Sequence, residues 1–311
     1  MDVWSLSRRA SVTTRRYILI LFRAHKFSIP SNKMQLSFVL RFASLFNAVV
    51  QDGMTPVLFC DQDRTCSVVE KRTKTLYQRN LVLHPDMLDF VGEFKRKGGV
   101  YVPSSARSID QLQAAYVDFP GLPMSGNDGF VIKPPGDYPK LFYGEKMPDY
   151  TQLRYEVPNF IKGMENVDWQ EMEAYFQLLV DYDNPNRMEC ERFFQNMAAL
   201  VEGRSRMLPM IVRFSPDCLS MEPFNNRGKD GAIKILMPML GVKNPHIIVA
   251  GDGSNDIPAL SYAKDLGADK ATAIWVNKDG KQGCPEWATH AVDNVDECVA
   301  LFKSLAHFMK E

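Results

Sequence analysis

From residue 56 onwards, short apolar runs alternate with stretches in which apolar residues recur every three or four positions. The apolar runs predict strands, and the stretches with helical spacing predict helices. The predicted strands are residues 57–60, 100–102, 246–250 and 272–276, and the predicted helices are residues 84–97, 233–240 and 294–308. Strands that alternate with helices are typical of a parallel sheet with crossover helices. The pattern therefore predicts an α/β fold.

The pattern changes between about residues 122 and 224, where proline and glycine become frequent. This segment contains two predicted helices and two strand-like runs, at residues 169–182, 188–202, 210–214 and 218–222. The turn residues Ser215, Pro216 and Asp217 between the last two runs indicate a β-hairpin. We therefore expect residues 122–224 to form an inserted α+β domain, with the α/β core made of residues 54–121 and 225–311.

The formal net charge of zero, from 37 basic and 37 acidic side chains, hides an uneven distribution. Residues 1–50 carry a net charge of +7, which leaves −7 on the rest. The basic extension, residues 1–53, has the composition of an organelle transit peptide. The alternatives are an extension ahead of a start at Met34 or Met54, or a helix packed on the body. The acidic remainder gives no electrostatic footprint for nucleic acid.

The six cysteines show neither CxxC spacing nor the Cys/His pairing of a zinc site. We therefore expect a reduced, intracellular protein, cytoplasmic by default and organellar if the basic extension is a transit peptide. The longest apolar runs near the front, residues 17–22 and 36–50, fall short of the roughly 20 residues that cross a bilayer. We expect no integral membrane segment. The 45% hydrophobic composition supports a sizeable core and excludes a disordered chain.

Two acidic loops follow apolar strands. Asp61 and Asp63 follow the first predicted strand, and Asp252 and Asp256 follow the strand predicted at residues 246–250. If these strands are neighbours in one sheet, four carboxylates meet at one edge, where they repel each other without a cation. Carboxylate oxygens are the ligands that Mg²⁺ prefers, so a magnesium site is the economical interpretation. Taken one loop at a time, such acids are also typical of turns and helix N-caps.

A carboxylate beside a magnesium-bound phosphate is a competent nucleophile. At this point the chain resembles the haloacid dehalogenase (HAD) superfamily of phosphatases. Their motifs are a strand followed by DxDx[TV], a Ser or Thr after the second strand, a distant Lys and a GDxxND-type loop. All four are present in this order, at residues 61–65, 105, 229 and 251–256. The resemblance implies a Rossmann-like parallel sheet core with an inserted α+β cap.

The resemblance also implies roles for individual residues. Asp61 matches the nucleophile that becomes an aspartyl phosphate, and Asp63 matches the general acid/base. Ser105 and Lys229 match the phosphate-binding hydroxyl and ammonium, which stabilise charge on the transferring phosphoryl group. The implied cofactor is Mg²⁺, and the implied metal ligands are Asp61, Asp63, Asp252 and Asp256. Taken alone, Ser105 is equally typical of a helix N-cap, and Lys229 of a solvated charge.

Two positions depart from the family pattern. Arg64 replaces the commoner Gly of DxDGT, and Ala106 replaces the Gly of the [ST]GR motif. Neither change removes a reacting group. Ala106 matters only if its position needs a positive φ, because a Cβ disfavours that backbone conformation.

The position of the insert bears on the substrate. Well over 100 residues separate Ser105 from Lys229, so the insert lies between the second and third motifs. This placement resembles the Cof-like, sucrose-phosphatase and trehalose-phosphatase branches, whose substrates are mostly sugar phosphates. The resemblance therefore implies a phosphorylated small molecule, a sugar phosphate, as the partner, and we expect Asn127, Asp128 and Glu222 to contact its hydroxyls. For Glu222 the alternative is a cross-strand pair on the hairpin.

Three functions remain open from the sequence. The first is a Mg²⁺-dependent phosphatase that acts on a sugar phosphate through an aspartyl phosphate on Asp61. The second is a phosphotransferase or mutase that uses the same intermediate. The third is a sugar-phosphate-binding module without turnover, against which the presence of both Asp61 and Asp63 argues.

Overall fold

The computed structural model describes residues 42, 45, 54–67, 81–142, 149–172, 175–205, 210–214, 218–223, 228–277 and 283–309. The basic extension, apart from Phe42 and Leu45, lies outside the described residues, as do the predicted turn residues 215–217. The strands are β1 (Thr55–Asp61), β2 (Val100–Ser104), β3 (Met124–Gly126), β4 (Val131–Lys133), β5 (Leu141–Phe142), β6 (Val167–Glu171), β7 (Phe176–Val180), β8 (Met210–Phe214), β9 (Cys218–Pro223), β10 (Pro245–Gly251), β11 (Ala271–Val276) and β12 (His290–Val292). The helices are α1 (Met87–Arg96), α2 (Ile109–Ala115), α3 (Thr151–Phe160), α4 (Arg187–Ser205), α5 (Gly228–Leu240), α6 (Ile257–Asp265) and α7 (Val295–Phe308).

Eight strands form the main sheet, in the order β12-β11-β10-β1-β2-β3-β4-β5. The strands from β12 to β3 run parallel, whereas β4 and β5 join in antiparallel pairs. All residues of β1 and β10 except the first of each are buried. Strands that are covered on both faces read as continuous apolar runs, which is how the sequence shows them. The predicted α/β fold is confirmed.

Helices cover both faces of the main sheet. Side chains of β1 alternate between the two faces, so Leu58 belongs to one apolar cluster and Phe59 to the other. Helices α1 and α7 pack on the first face, where the rings of Phe90 and Phe302 stack with centroids 5.4 Å apart. Helices α5 and α6 pack on the second face.

Strand β1 lies at the centre of the main sheet, between β10 and β2. Cys60 pairs with Ala250 on one side and with Pro103 on the other, and Asp61 pairs with Ser104. The three strands are parallel, so their carboxyl ends lie side by side at one edge of the sheet. The loops that carry the predicted chemistry therefore leave the sheet at neighbouring points.

A second sheet of four antiparallel strands, in the order β6-β7-β9-β8, lies within the segment predicted as the insert. Its own apolar cluster includes Phe176 and Leu219 from the strands, Leu153 from α3 and Phe194 from α4. The start predicted for the insert, residue 122, falls too early. Strands β3 to β5 lie beyond that residue, yet β3 pairs with β2 and so extends the main sheet.

The helix predicted at residues 169–182 is wrong, because this stretch contains parts of β6 and all of β7. Phe176, Leu178 and Val180 are buried at every second position, and β7 is hydrogen-bonded on both sides, to β6 and β9. Pairing with neighbouring strands thus overrides a local composition that favours a helix. The other elements predicted within the insert appear as α4, β8 and β9, and β8 pairs with β9 as the predicted hairpin.

All six cysteines are described, and each is a free thiol. Within the described part of the chain, no helix combines the length and the apolar character that a membrane crossing requires.

Candidate active site

Asp61, Lys229 and Asp256 meet at the carboxyl end of β1. Asp61 is the last residue of β1, Lys229 is the second residue of α5, and Asp256 directly precedes α6. Lys229 Nζ lies 2.5 Å from Asp61 Oδ1 and 2.6 Å from Asp256 Oδ1. All three side chains are buried. The ammonium of Lys229 therefore holds together two carboxylates, one from the end of β1 and one from the loop that leads from β10 to α6.

Asp252 joins the same group. Asp61, Asp252 and Asp256 each offer a ligand atom, and these atoms all lie within 4.8 Å of one another. Thr65 Oγ1 lies 3.2 Å from Asp61 Oδ2 and 3.4 Å from Asp252 Oδ1. We call the three carboxylates the acid cluster. Three of the four predicted metal ligands are thus together, and their hard oxygen donors fit a magnesium ion.

The loop that carries Asp252 is fixed by Asp256. Asp256 Oδ2 accepts hydrogen bonds from the backbone N–H groups of Asp252, at 3.0 Å, and Gly253, at 2.8 Å. Asp256 thus uses one oxygen to shape its own loop and the other to bind Lys229. This side chain therefore stabilises the conformation of its loop and is also a potential metal ligand.

Burial and charge act in opposite directions in the acid cluster. Burial raises the pKa of Asp61 well above its usual value, the charge of Asp256 raises it further, and the charge of Lys229 lowers it. Burial alone would lower the pKa of Lys229, but the charges of Asp256 and Asp61 outweigh it and raise that pKa well above its usual value. Lys229 is therefore held as a cation, and a further cation would relieve the repulsion among the acids.

Asp63 does not join the acid cluster, which corrects the expectation that four carboxylates converge. Its side chain is 39% exposed and faces Arg107. Arg107 donates two hydrogen bonds to it, from Nη2 at 2.7 Å and from Nε at 2.8 Å. Asp63 lies two residues beyond the end of β1, where it forms an isolated bridge with Ser67, and its carboxylate faces the loop after β2. The two acids of the DxD motif thus have separate environments.

Burial alone would lower the pKa of Arg107, but its hydrogen bond with Asp63 and the charge of that residue raise it. The guanidinium therefore remains a cation within the two-bonded pair, a geometry that is stronger than a single contact.

Ser105 follows β2 directly and is buried. Its Oγ accepts the backbone N–H of Arg107 at 3.1 Å, and its own N–H donates to the carbonyl of Ser125 at 2.9 Å. Because Ser104 pairs with Asp61 across the sheet, Ser105 lies one residue beyond the nucleophile candidate. Residues 105–107, called the Ser105 loop below, therefore lie beside the end of β1.

The tight turn at residues 127–129 links the Ser105 loop to Lys229. The N–H groups of Asn127 and Asp128 donate to the carbonyls of Arg107 and Ser105, at 2.9 and 3.0 Å. The carboxylate of Asp128 accepts a bond of 2.8 Å from Asn255 Nδ2 and lies 3.9 Å from Lys229 Nζ. The predicted substrate residues Asn127 and Asp128 thus lie at the site.

Burial raises the pKa of Asp128, although the charge of Lys229 and the hydrogen bond from Asn255 lower it. Asn127 and Asp128 both have a left-handed backbone, with φ of 49° and 52°. Asparagine and aspartate tolerate this conformation better than most side chains, so the turn suits them locally.

Glu222 lies in the second sheet, where its carboxylate accepts a hydrogen bond from Arg213 Nε. Arg213 and Glu222 are on the adjacent strands β8 and β9. This is the cross-strand pair that the sequence offered as the alternative to a substrate contact.

The two residues that depart from the family pattern, Arg64 and Ala106, have different backbone conformations. Arg64 has a φ of 64°, in the left-handed region that favours glycine, which explains why a glycine is common there. Ala106 is not among the described residues with positive φ. Its Cβ therefore causes no backbone strain at that position.

Three further side chains belong to the site, and the sequence assigned them no role. Thr65 and Arg107 lie within the sequence motifs described above. Their roles could have been predicted, because each places a hydroxyl or a cation close to a predicted site residue. Tyr175 donates a hydrogen bond from its hydroxyl to the carbonyl of Ala106. No local pattern indicates Tyr175, because the contact joins positions 69 residues apart.

Comparisons with known proteins show similarity in structure only. No protein-family model and no curated protein matches the sequence. The trehalose-6-phosphate phosphatase C-terminal domain of C. albicans has a TM-score of 0.64 and 11% identity, with 88% of this chain and 98% of that chain covered. A trehalose-6-phosphate phosphatase related protein has a TM-score of 0.63 and 13% identity, with coverages of 81% and 97%.

The trehalose-6-phosphate phosphatase of Aspergillus fumigatus has a TM-score of 0.57 and 15% identity, with 85% of this chain and 97% of that chain covered. The likeness spans nearly the full length of each of these structures. At such low identities it is evidence for the fold. The chain therefore has the HAD-like fold that its motifs predicted.

Proposed function

We propose that this protein is a Mg²⁺-dependent phosphatase that hydrolyses a sugar phosphate through an aspartyl phosphate on Asp61. The observation that carries the proposal is the buried meeting of Asp61 with Lys229 and the rest of the acid cluster, at the carboxyl ends of adjacent parallel strands. Ligands bind at this edge in open α/β sheets. The fold, shared with solved trehalose-6-phosphate phosphatases, supports the same reaction class.

The residues that would hold Mg²⁺ are Asp61, Asp252 and Asp256, because their carboxylate oxygens are close together and buried. When bound, the ion supplies positive charge that stabilises the oxygens of a phosphoryl group. The single positive charge of Lys229 does not neutralise three ionised carboxylates. The acid cluster would then keep a net negative charge, which favours the binding of a further cation.

In the first step, a carboxylate oxygen of Asp61 attacks phosphorus as the bond from phosphorus to the sugar oxygen breaks. The departing oxygen takes a proton from the carboxyl group of Asp63, a step that requires Asp63 to be protonated and to give up its two-bonded pair with Arg107. In the second step, water attacks the phosphorus of the aspartyl phosphate, Asp63 takes a proton from that water, and the acyl phosphate bond breaks. Phosphate leaves and both carboxyl groups return to their starting forms.

Lys229 and the Ser105 hydroxyl have the chemistry to stabilise the phosphoryl group during transfer. The transferring group spreads negative charge over three oxygens, so a fixed cation and a fixed hydroxyl donor stabilise it. Lys229 is pre-positioned by Asp61 and Asp256, and Ser105 by its backbone bonds to Ser125 and Arg107. Both side chains are therefore held in place before substrate binds.

A sugar phosphate is the proposed substrate class because the second sheet lies between the second and third motifs, as in the sugar-phosphate branches. We propose that the second sheet acts as the cap over the acid cluster. Asp128, and with it Asn127, is the better candidate for binding sugar hydroxyls, since it lies at the cluster. Glu222 is the weaker candidate, because its carboxylate already pairs with Arg213.

The test is phosphate release by the purified full chain from p-nitrophenyl phosphate and from a panel of sugar phosphates that includes trehalose 6-phosphate and sucrose 6-phosphate. We expect release with Mg²⁺ and none with EDTA. Asp61→Asn should abolish it, because an amide cannot act as the nucleophile. Asp265→Asn is the matched control, since Asp265 is exposed at the end of α6, and it should retain wild-type rates. Undiminished activity in Asp61→Asn overturns the proposal.

A further inference from the structure

Tyr175 connects the second sheet to the Ser105 loop. It directly precedes β7, and the N–H of Met172 donates to its carbonyl at 2.8 Å, which closes the end of the β6–β7 hairpin. Its ring is 2% exposed and packs in the apolar cluster of the main sheet, not in that of the second sheet. The hairpin end is therefore embedded in the catalytic core.

The hydroxyl of Tyr175 reaches the middle of the Ser105 loop, where it donates to the carbonyl of Ala106. Ala106 stands between Ser105, the proposed phosphate ligand, and Arg107, whose guanidinium holds Asp63 by two hydrogen bonds. The Ala106 carbonyl belongs to the peptide that joins Ala106 to Arg107, and the N–H of that same peptide donates to Ser105 Oγ at 3.1 Å. Tyr175 thus contacts the residue that directly adjoins both Ser105 and Arg107.

The surroundings keep this hydroxyl a donor. Burial raises the pKa of Tyr175 well above its usual value, and the charges of Asp128, Glu222 and Asp63 act in the same direction. A buried donor that loses its acceptor, or an acceptor that loses its donor, costs the desolvation of the remaining group. The bond therefore favours one position of the Ser105 loop over others.

We propose that Tyr175 is a positioning residue, by which the second sheet fixes the Ser105 loop and, through Arg107, the carboxylate of Asp63. The inference rests on the phosphatase function proposed above. It goes beyond that function because it makes the docking of the second sheet a condition for correct placement of the acid/base group. The cap would then contribute to catalysis as well as to substrate selection.

The test compares Tyr175→Phe with Tyr150→Phe. Tyr150 is a matched control because it is also buried, with 3% exposure, and its hydroxyl donates to a backbone carbonyl, that of Met221, at 3.1 Å. Tyr150 packs within the cluster of the second sheet. Each variant removes one buried hydroxyl and keeps the ring, so each should fold.

Two readouts are needed. With p-nitrophenyl phosphate and Mg²⁺, we expect Tyr175→Phe to lower kcat by about 10- to 100-fold and to change KM by less than about threefold, because misplacement of a catalytic group affects the transition state most. Tyr150→Phe should stay within about twofold of the wild-type kcat. In hydrogen exchange, the amides of residues 105–108 and 127–128 should exchange faster in Tyr175→Phe only.

Equal kcat values for the two variants, a loss confined to KM, or unchanged exchange of the Ser105 loop in Tyr175→Phe each overturn the inference. If the wild-type chain releases no phosphate from any substrate, the proposed function fails. The exchange measurement still decides in that case whether Tyr175 positions the loop, so the two failures are distinguishable.

Discussion

Lys229 Nζ and Asp61 Oδ1 lie 2.5 Å apart, although the two residues are separated by 168 positions in the chain. Each is almost wholly buried. A buried ammonium without its carboxylates, or buried carboxylates without their ammonium, is strongly unfavourable. The pair therefore ties the end of β1 to the start of α5, and the first prediction concerns its removal.

Lys229→Met should destabilise the protein by about 3–5 kcal/mol in EDTA, because it leaves Asp61 and Asp256 buried without their counter-charge. The matched control is Lys234→Met on the same helix. Lys234 forms a surface pair with Asp230 at 2.7 Å and lies 4.8 Å from the centre of the Tyr262 ring, so its loss should change stability by less than about 1.5 kcal/mol. Urea unfolding followed by circular dichroism measures both. Equal effects of the two substitutions contradict the prediction.

Gly129→Ala should be more harmful than Gly136→Ala. Both glycines have positive φ, of 94° and 78°, so alanine costs each about 1–2 kcal/mol of backbone strain. At Gly129 a Cβ would lie 2.2 Å from the carbonyl oxygen of Gly228, whereas nothing lies within 4 Å of a Cβ at Gly136.

The added clash pushes the turn away from the start of α5, which carries Lys229. We therefore expect Gly129→Ala to lose stability beyond the shared strain and also to lose phosphatase activity. Gly136→Ala should show the strain alone, with normal kcat. Thermal melts and kinetics of the two variants check this, and matching melting temperatures would count against it.

The variant Arg64→Gly should be more stable than the variant Arg64→Ala. Its φ of 64° costs a residue with a Cβ about 1–2 kcal/mol, and glycine avoids that cost while giving back part of the gain as chain entropy in the unfolded state. We expect Arg64→Gly to exceed Arg64→Ala by about 1 kcal/mol in free energy of unfolding. Alanine removes the same side chain beyond Cβ, so the comparison isolates the backbone. A more stable alanine variant contradicts the assignment of strain.

His246 should make the protein less stable in mild acid. It is fully buried beside Thr272, with His246 Nε2 and Thr272 Oγ1 2.9 Å apart. Burial lowers its pKa, although the hydrogen bond with Asp269 and its charge partly oppose this. Below the usual pKa of about 6.5 the unfolded chain binds the proton more readily, so protonation favours unfolding.

This contribution is present above about pH 6.5 and is lost as the pH falls below that value, by at most about 2 kcal/mol at pH 5. His246→Asn should remove that part of the difference in unfolding free energy between pH 7 and pH 5. The control is His307→Asn, since His307 is exposed on α7 and should leave the difference unchanged. An undiminished difference in His246→Asn would show that another group titrates.

The sequence predicts the main sheet well because its strands are buried on both faces. The run predicted at residues 57–60 lies within β1, and the run at 246–250 lies within β10. The helix predicted from residue 233 begins earlier, at Gly228. The prediction starts too late because Gly228, Lys229 and Asp230 have no apolar periodicity. The stretch 169–182 fails for a different reason: β7 pairs with β6 and with β9, and β9 lies well outside this stretch.

The candidate site divides in the same way. The order of the motifs and their positions directly after strands were sufficient to predict that Asp61, Asp252 and Asp256 lie close together. The direction of a side chain in a turn is not contained in spacing, so the pairing of Asp63 with Arg107 was not foreseen. The contact of Tyr175 with Ala106 depends on how the second sheet packs on the first, which local sequence does not encode.

The central place of β1 has a consequence for synthesis on the ribosome. Its two neighbours are far apart in the chain, because β2 covers residues 100–104 and β10 covers residues 245–251. Until residues 245–251 have emerged, this central strand keeps one row of backbone groups unpaired, and Asp61 still lacks Asp252 and Asp256. A nascent chain arrested before that point therefore has an incomplete acid cluster and carries a strand edge prone to aggregation.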